Sequence, residues 1–162
     1  MQESCKEPEV DHLDRKIIEF LLEDGRATYA AIGGSIGLSA PAVKRRMDRM
    51  VADGAIRGFT AVIAPAQLGW TTEAYVELHC TGNVSPEELH RTLIQIPEVH
   101  SASTVSGRAD ALLYILASDV RHLERALERV RVDVTNVEHT ETAIVLSRLI
   151  DRYGQEHRQV ST

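Results

Sequence analysis

Only two cysteines occur among the 162 residues, and no apolar run is long enough to span a bilayer. Cys5 and Cys80 lie in a predicted tail and a predicted strand, without the spacing of metal ligands. No apolar segment follows a basic start at the N-terminus, so the sequence predicts no signal peptide. We therefore expect a reduced, cytoplasmic protein without a membrane partner.

The sequence also lacks the motifs of enzymes. It contains no pairing of a nucleophile with a base, no metal-ligand spacing and no Gly-rich loop for phosphate. Seven histidines are scattered without a close pair, and most are predicted to lie at the surface: His12, His79, His90, His100, His122, His139 and His157. The sequence therefore predicts no catalytic residue, no metal site and no cofactor.

A positive net charge, the usual sign of a nucleic-acid-binding protein, is missing, because the net charge is −6. The segment 38–58 differs from the rest, since five basic residues there stand against two acidic ones: Lys44, Arg45, Arg46, Arg49 and Arg57 against Asp48 and Asp53. Phosphate contacts are local, and counterion release depends on the number of contacts rather than on net charge. A small basic patch on an acidic protein is therefore compatible with DNA binding.

Three short helices are predicted between residues 11 and 55. Their predicted N-caps are Asp11, Thr28 and Ser39, and they end at Asp24-Gly25, at the turn Gly37-Leu38-Ser39 and at Asp53-Gly54. The second and third helices are joined by a tight turn, and the third has a basic outer face. This is the layout of a helix-turn-helix that reads DNA.

The third predicted helix has one apolar face, formed by Val43, Met47 and Met50, which must pack on the other two helices. Arg46 lies close to that face, so we expect it to pair with an acidic group such as Asp14. Residues near the start of a recognition helix usually meet base edges, while later residues reach phosphates. We therefore assign Ser39, Ala40, Pro41, Lys44 and Arg45 to the groove, and Arg49, Thr28 and Arg26 to the DNA backbone.

Gly33 and Gly34 lie inside the second predicted helix, where two glycines cost roughly 2 kcal/mol relative to alanine. A small residue is expected at Gly33, because the second and third helices approach closely there. Gly34 has no such reason, so the second helix is predicted to be intrinsically weak.

Alternating strands and helices are predicted in the second part of the chain. A linking strand and hinge cover 56–63 within the segment 56–70, strands cover 73–80, 99–105, 111–117 and 137–150, and helices run from Ser85 to about Ile96 and from Asp119 to about Val130. The order βαββαβ is that of a ferredoxin-like unit. The predicted fold is α+β, with flexible tails at 1–10 and 153–162, a winged-type helix-turn-helix domain at 11–55, a hinge strand, and a ferredoxin-like domain at 71–152.

Such a sheet carries helices on one face only and leaves the other face bare. Apolar strand positions that a partner is expected to cover include Val76, Leu78, Leu113, Ile115, Ile144 and Leu146. Self-association through the sheet is therefore predicted.

In its ordered motifs the chain resembles the leucine-responsive (Lrp/AsnC) family of transcriptional regulators. The resemblance covers residues 11–152 and rests on Leu13-Asp14-Arg15 with Ile17-Ile18, Asp24-Gly25-Arg26, Gly37-Leu38-Ser39, Arg46, Gly54-Ala55-Ile56, Gly58-Phe59, Leu68-Gly69, Val105-Ser106-Gly107 with Asp110, and Thr140 to Leu146. It implies a regulator that binds double-stranded DNA, dimerises through its C-terminal domain and assembles further into tetramers or octamers. It also implies a small effector, usually an amino acid, held between dimers.

The residues that the resemblance assigns to the effector are Ser106, Gly107, Arg108, Ala109 and Asp110, with Thr140 and Thr142. Backbone amides around Gly107 are suited to a carboxylate, and a carboxylate or hydroxyl is suited to an ammonium group. The family commonly has an aromatic residue before the aspartate, where this chain has Ala109. The alternative interpretation is that Gly107 only makes a turn and Asp110 only caps it.

Two other functions fit the same architecture. Some haem-pathway decarboxylases resemble this two-domain family, but they need basic or histidine residues that converge on the carboxylates of a tetrapyrrole. A DNA-architectural protein without an effector would bind DNA in a salt-dependent manner without regard to sequence. The sequence favours a sequence-specific regulator whose assembly responds to an effector.

Overall fold

The computed structural model describes residues 9–150. The chain divides into two compact units between Ala61 and Val62, which we call the helical unit (9–61) and the sheet unit (62–150). Outside the described residues lie 1–8 of the predicted N-terminal tail, with Cys5, and the whole predicted C-terminal tail 153–162, with His157. None of the helices within 9–150 is long and apolar enough to cross a membrane.

The helical unit contains α1 (His12–Glu23), α2 (Tyr29–Ile36) and α3 (Ala40–Ala52). A capping box begins α1, in which the Asp11 carboxylate accepts from the Asp14 backbone N–H and the Asp14 carboxylate accepts from that of Asp11. The three helices enclose a small core that consists of Ile17, Ile32, Val43, Met47 and Met50. The apolar face predicted for the third helix is thereby confirmed.

The turn between α2 and α3 is close-packed. Thr28 caps α2 by accepting from the Ala31 N–H at 3.2 Å, and Gly37 ends it in the left-handed conformation with φ 74°. A Cβ on Gly33 would lie 2.3 Å from the Leu38 carbonyl oxygen, whereas one on Gly34 would meet nothing within 4 Å. The contrast predicted between the two glycines is confirmed, and the close neighbour of Gly33 is the backbone of the turn.

The linking strand predicted over 56–63 is not formed. Residues 57–64 belong to neither helix nor strand, and a short 3-10 helix, Pro65–Leu68, follows them. Residues 9–61 therefore contain no β-wing beside the three helices. Strand-forming side chains alone are not enough, because a strand also needs a neighbour for its backbone hydrogen bonds.

The sheet unit has the order βαββαβ, as predicted, with β1 (Thr72–Cys80), α4 (Pro86–Leu93), β2 (Val99–Thr104), β3 (Ala111–Ala117), α5 (Val120–Asp133) and β4 (Val137–Ile144). The sheet is antiparallel, with the strand order β2-β3-β1-β4. The final strand is six residues shorter than predicted. Ile144 pairs with Ala74, and β1 begins only two residues before Ala74, so a longer β4 would have no partner strand.

The two helices of the sheet unit also differ in length from the prediction. The structure ends α4 at Leu93 rather than near Ile96, because Pro97 disfavours a helical conformation at the residue before it. It extends α5 to Asp133 rather than Val130, and the extra turn lets Val134 join the core. The caps Ser85 and Asp119 are as predicted.

The buried apolar side chains of the strands face the helices. Val76, Leu78, Leu113 and Ile115 are fully buried in the core, so the prediction that they lie on the bare face is wrong. The alternate residues of β1, such as Glu73, Tyr75 and Glu77, lie on the face that no helix covers. We call this the open face, and it mixes aromatic, charged and apolar side chains.

Candidate nucleic-acid interface and effector site

The solvent-exposed side of α3 carries the basic residues expected to meet DNA. Lys44 forms an ion pair with Asp48, with Nζ and Oδ2 2.6 Å apart, and this hydrogen bond raises the pKa of the lysine. Arg45, the next residue, is exposed and has no ion-pair partner among residues 9–150. Ser39 holds the N-cap position of α3, but its side chain makes no capping hydrogen bond, contrary to the prediction. Its hydroxyl is thus available beside Ala40 and Pro41.

Two other arginines of α3 point towards a buried carboxylate. Asp14 is 0 % exposed, and Arg46 Nη1 donates to Asp14 Oδ1 at 2.8 Å and to Asp11 Oδ2 at 2.6 Å. The predicted pairing of Arg46 with Asp14 is confirmed. Arg49 donates to the other Asp14 oxygen. Hydrogen bonds from Arg46 and from the Asp14 backbone lower the pKa of Asp11 to about 2.

The contacts of Asp14 distinguish Arg46 and Arg49, which bind this buried carboxylate, from Lys44 and Arg45, which do not. Arg46 belongs to the fold, while Arg49 is half-exposed and also serves Asp14, so its phosphate contact stays a prediction. Arg26 and Thr28 are exposed just before α2, where the Arg26 backbone N–H donates to Asp24 Oδ1 at 2.9 Å. Their phosphate contacts are also predictions.

The predicted effector loop, 106–110, connects β2 to β3 and is exposed except for Ala109. Asp110 anchors it, because the carboxylate Oδ2 accepts from the Cys80 N–H at 2.7 Å and the Asp110 N–H donates to the Leu78 carbonyl at 2.9 Å. These contacts fix Asp110 to the end of β1 rather than to the turn at Gly107, and its role in effector binding stays a prediction. Its Oδ1 oxygen has no hydrogen-bond partner among the described residues. Burial and the Asp110 charge raise the pKa of the Cys80 thiol.

Thr140 and Thr142 lie on β4, opposite the buried residues Leu78 and Val76. Thr140 Oγ1 accepts from Arg131 of α5 at 2.8 Å, and Thr142 lines a shallow groove beside α5. That groove contains no residue of the loop 106–110. Within one chain, the predicted effector residues of the loop and those of β4 therefore do not line this groove together.

Sequence reasoning missed two side-chain clusters in the sheet unit. Glu98 accepts from His122 Nε2 at 2.7 Å and from Arg129. Burial by itself raises the pKa of Glu98, but these two hydrogen bonds outweigh it and the pKa lies below its usual value. The other cluster contains His79 and His139, whose rings stack with centroids 4.2 Å apart, so the prediction that no two histidines are close is wrong. Only the strand register reveals this pair, since the two residues are distant in sequence.

Comparison with known protein families finds a matching domain for each of the two units. The model of the AsnC-type helix-turn-helix domain matches residues 10–51, and that of the Lrp/AsnC ligand binding domain matches residues 73–155. The chain belongs to the Lrp/AsnC family. As a member of that family it is a DNA-binding transcriptional regulator with a ligand-binding domain.

Relatives of this Lrp/AsnC chain are named as regulators. HTH-type transcriptional regulator Rv2324 of Mycobacterium tuberculosis is 52% identical over 143 residues, which cover 88% of this chain and 96% of that protein. The proline dehydrogenase transcriptional activator of Rhizobium radiobacter is 34% identical, and the match covers 90% of this chain and 95% of that protein. The feast or famine regulatory protein of M. tuberculosis, solved with L-methionine, is 31% identical to this chain. The two structures match with a TM-score of 0.81 over 88% of this chain and 96% of that one. The decarboxylase alternative is therefore rejected, and the chain is not an enzyme.

Proposed function

We propose that this regulator reads a palindromic DNA site with the exposed side of α3, and that an amino acid bound between dimers changes its assembly. One observation carries the DNA half of the proposal. Lys44, Arg46 and Arg49 each have an acidic partner within the helical unit, whereas Arg45 has none among residues 9–150. Its guanidinium is thus available for bidentate hydrogen bonds to a guanine edge.

The small basic surface explains why DNA binding should need more than one copy. Asp48 neutralises Lys44 at the surface, and the whole chain carries a net charge of −6. A single helical unit then makes few phosphate contacts and releases few counterions, so its affinity for DNA is low. A symmetric dimer presents two α3 helices to half-sites about one turn of DNA apart, or a multiple of it.

Selection from a pool of random duplexes tests sequence-specific reading. We expect the full chain to enrich inverted repeats, because a two-fold symmetric dimer matches a two-fold symmetric site. Binding should be measured at two salt concentrations, so that specific and non-specific affinity are separated. A pool that stays random while binding remains salt-dependent would instead identify a DNA-architectural protein.

The effector half of the proposal rests on the loop 106–110. Asp110 is fixed to the sheet by one carboxylate oxygen, and its other oxygen is suited to an ammonium group. No atom lies within 4 Å of a Cβ built on Gly107, so the backbone there is open to a carboxylate. A 31% identical regulator has been solved with L-methionine. Because the groove that contains Thr142 includes no residue of this loop, we propose that a second dimer completes the site.

A thermal-shift panel of the twenty amino acids tests effector binding. We expect at least one of them to raise the melting temperature, since a ligand at 100 times its Kd stabilises by about 2.7 kcal/mol. Asp110→Asn retains an oxygen that can accept from the Cys80 N–H but removes the charge, so the ligand-induced shift should shrink while the ligand-free melting temperature changes little.

Asp133→Asn is the matched control, because Asp133 is an exposed aspartate at the end of α5. It should respond to the amino acid as the unchanged chain does. A flat panel for the unchanged chain would refute amino-acid sensing, and an undiminished shift in Asp110→Asn would refute the role of its charge.

A further inference from the structure

The histidine pair of the sheet unit belongs to a larger cluster on the open face. His79 of β1 and His139 of β4 are directly opposite in register, and so are Glu77 and Glu141 two residues along. Opposite residues of an antiparallel pair project to the same face with Cβ atoms about 5 Å apart. Two imidazoles and two carboxylates therefore form a compact patch across β1 and β4.

One nitrogen in this patch lacks the partner that a buried polar atom requires. His79 Nε2 is inaccessible to solvent and makes no hydrogen bond, and the nearest acidic oxygen, Glu77 Oε2, is 3.6 Å away. A buried polar atom without a partner is unfavourable, and native structures contain few of them. The His139 ring stacks on His79 with an angle of only 6° between the planes. The two rings thus lie face to face.

Ligand atoms from three of these residues converge. One ring nitrogen each of His79 and His139 and one oxygen of Glu141 all lie within 4.8 Å of one another. Ligands of tetrahedral zinc are about 3.4 Å apart, given bond lengths near 2.1 Å. The imidazole planes are nearly parallel, so the His139 ring must turn out of the stack before both rings can direct a nitrogen lone pair at one ion. The side chains of His139 and Glu141 are exposed and have room for that movement.

We propose that His79, His139 and Glu141 bind a divalent transition-metal ion of the zinc class on the open face of the sheet. Two imidazoles with one carboxylate suit Zn²⁺ and neighbouring borderline ions, whereas Mg²⁺ and Ca²⁺ prefer oxygen ligands alone. Glu77 is the nearest candidate for a fourth ligand. The site shares no residue with the loop 106–110, although Asp110 bonds the backbone on both sides of His79.

The bound ion would join β1 to β4 by side chains as well as by backbone. Because the ligands come from both strands, metal that binds only the folded sheet should stabilise the sheet unit.

Isothermal titration of the full, untagged, chelator-treated chain with Zn²⁺ alone tests this site. We expect about one ion per chain, and loss of affinity by roughly tenfold or more in His139→Ala and in Glu141→Gln. His90→Ala is the control, since His90 is an exposed histidine on α4, and it should bind as the unchanged chain does. Mg²⁺ should produce no comparable heat.

Two results would overturn the proposal. One is the absence of Zn²⁺ binding, and the other is binding that survives both His139→Ala and Glu141→Gln, which would place the ion elsewhere. The Glu141 side chain is 68% exposed, so Glu141→Gln should fold normally and carries the test even if His139→Ala does not fold. Circular dichroism verifies folding of each variant before titration.

Discussion

Arg46→Ala is expected to lower the free energy of unfolding of the helical unit by about 2–3 kcal/mol, because it removes one of two partners from a buried carboxylate. Asp14 is 0 % exposed, and without Arg46 it keeps only Arg49 and the backbone of Asp11. Arg45→Ala, one position earlier, should change stability by less than about 0.5 kcal/mol, since Arg45 is exposed.

Calorimetry of the full chain checks this pair of variants, and a loss of that size should lower the melting temperature of the helical unit by about 10 °C or more. The difference from the unchanged chain should also depend on pH. Arg46 helps to hold the pKa of Asp11 at about 2 rather than 3.8, so the part of its contribution that it makes through Asp11 is present above pH 3.8 and is lost as the pH falls through about 2. Equal stability of Arg45→Ala and Arg46→Ala would contradict the structural role of Arg46.

Gly33→Ala is expected to destabilise the helical unit by about 2 kcal/mol or more, because overpacking forces the backbone to move. A Cβ at this position would lie 2.3 Å from the Leu38 carbonyl oxygen, which is the turn itself. Gly34→Ala, its neighbour in α2, should raise stability by up to about 1 kcal/mol, since alanine favours a helix and the site is open.

Urea unfolding followed by circular dichroism distinguishes the two glycine variants. The two changes in the free energy of unfolding should have opposite signs, although both variants add one methyl group to the same helix. Helix propensity alone predicts the same sign for both variants. Stabilisation by Gly33→Ala would show that the turn yields easily and that α2 and α3 are not in close contact there.

The helices of the first unit were predictable because their signals are local. Asp11 and Thr28 act within three residues of themselves, and the apolar spacing of Val43, Met47 and Met50 gives the buried side of α3 directly. Ser39 shows the limit of such signals. Its residue type predicts a cap, but only the structure shows that its hydroxyl makes no capping hydrogen bond.

The strands were harder, because their properties depend on distant segments. Alternation along 73–80 shows that Val76 and Leu78 share a face, but not whether helices cover that face. The length of β4 depends on where β1 begins, and the stacking of His79 on His139 depends on register across 60 residues. The strand predicted over 56–63 is absent for a similar reason, since residues 57–64 have no neighbouring strand to pair with in the described part of the chain.

The DNA affinity of Arg45→Ala tests the central claim, that the exposed side of α3 reads the site. Affinity for the selected inverted repeat should fall by about tenfold or more, and the preference over random duplex should shrink, since a bidentate base contact is worth about 1–3 kcal/mol. Arg91→Ala, an exposed arginine of α4, is the matched control and should bind as the unchanged chain does. Unchanged affinity and unchanged preference in Arg45→Ala would contradict the account.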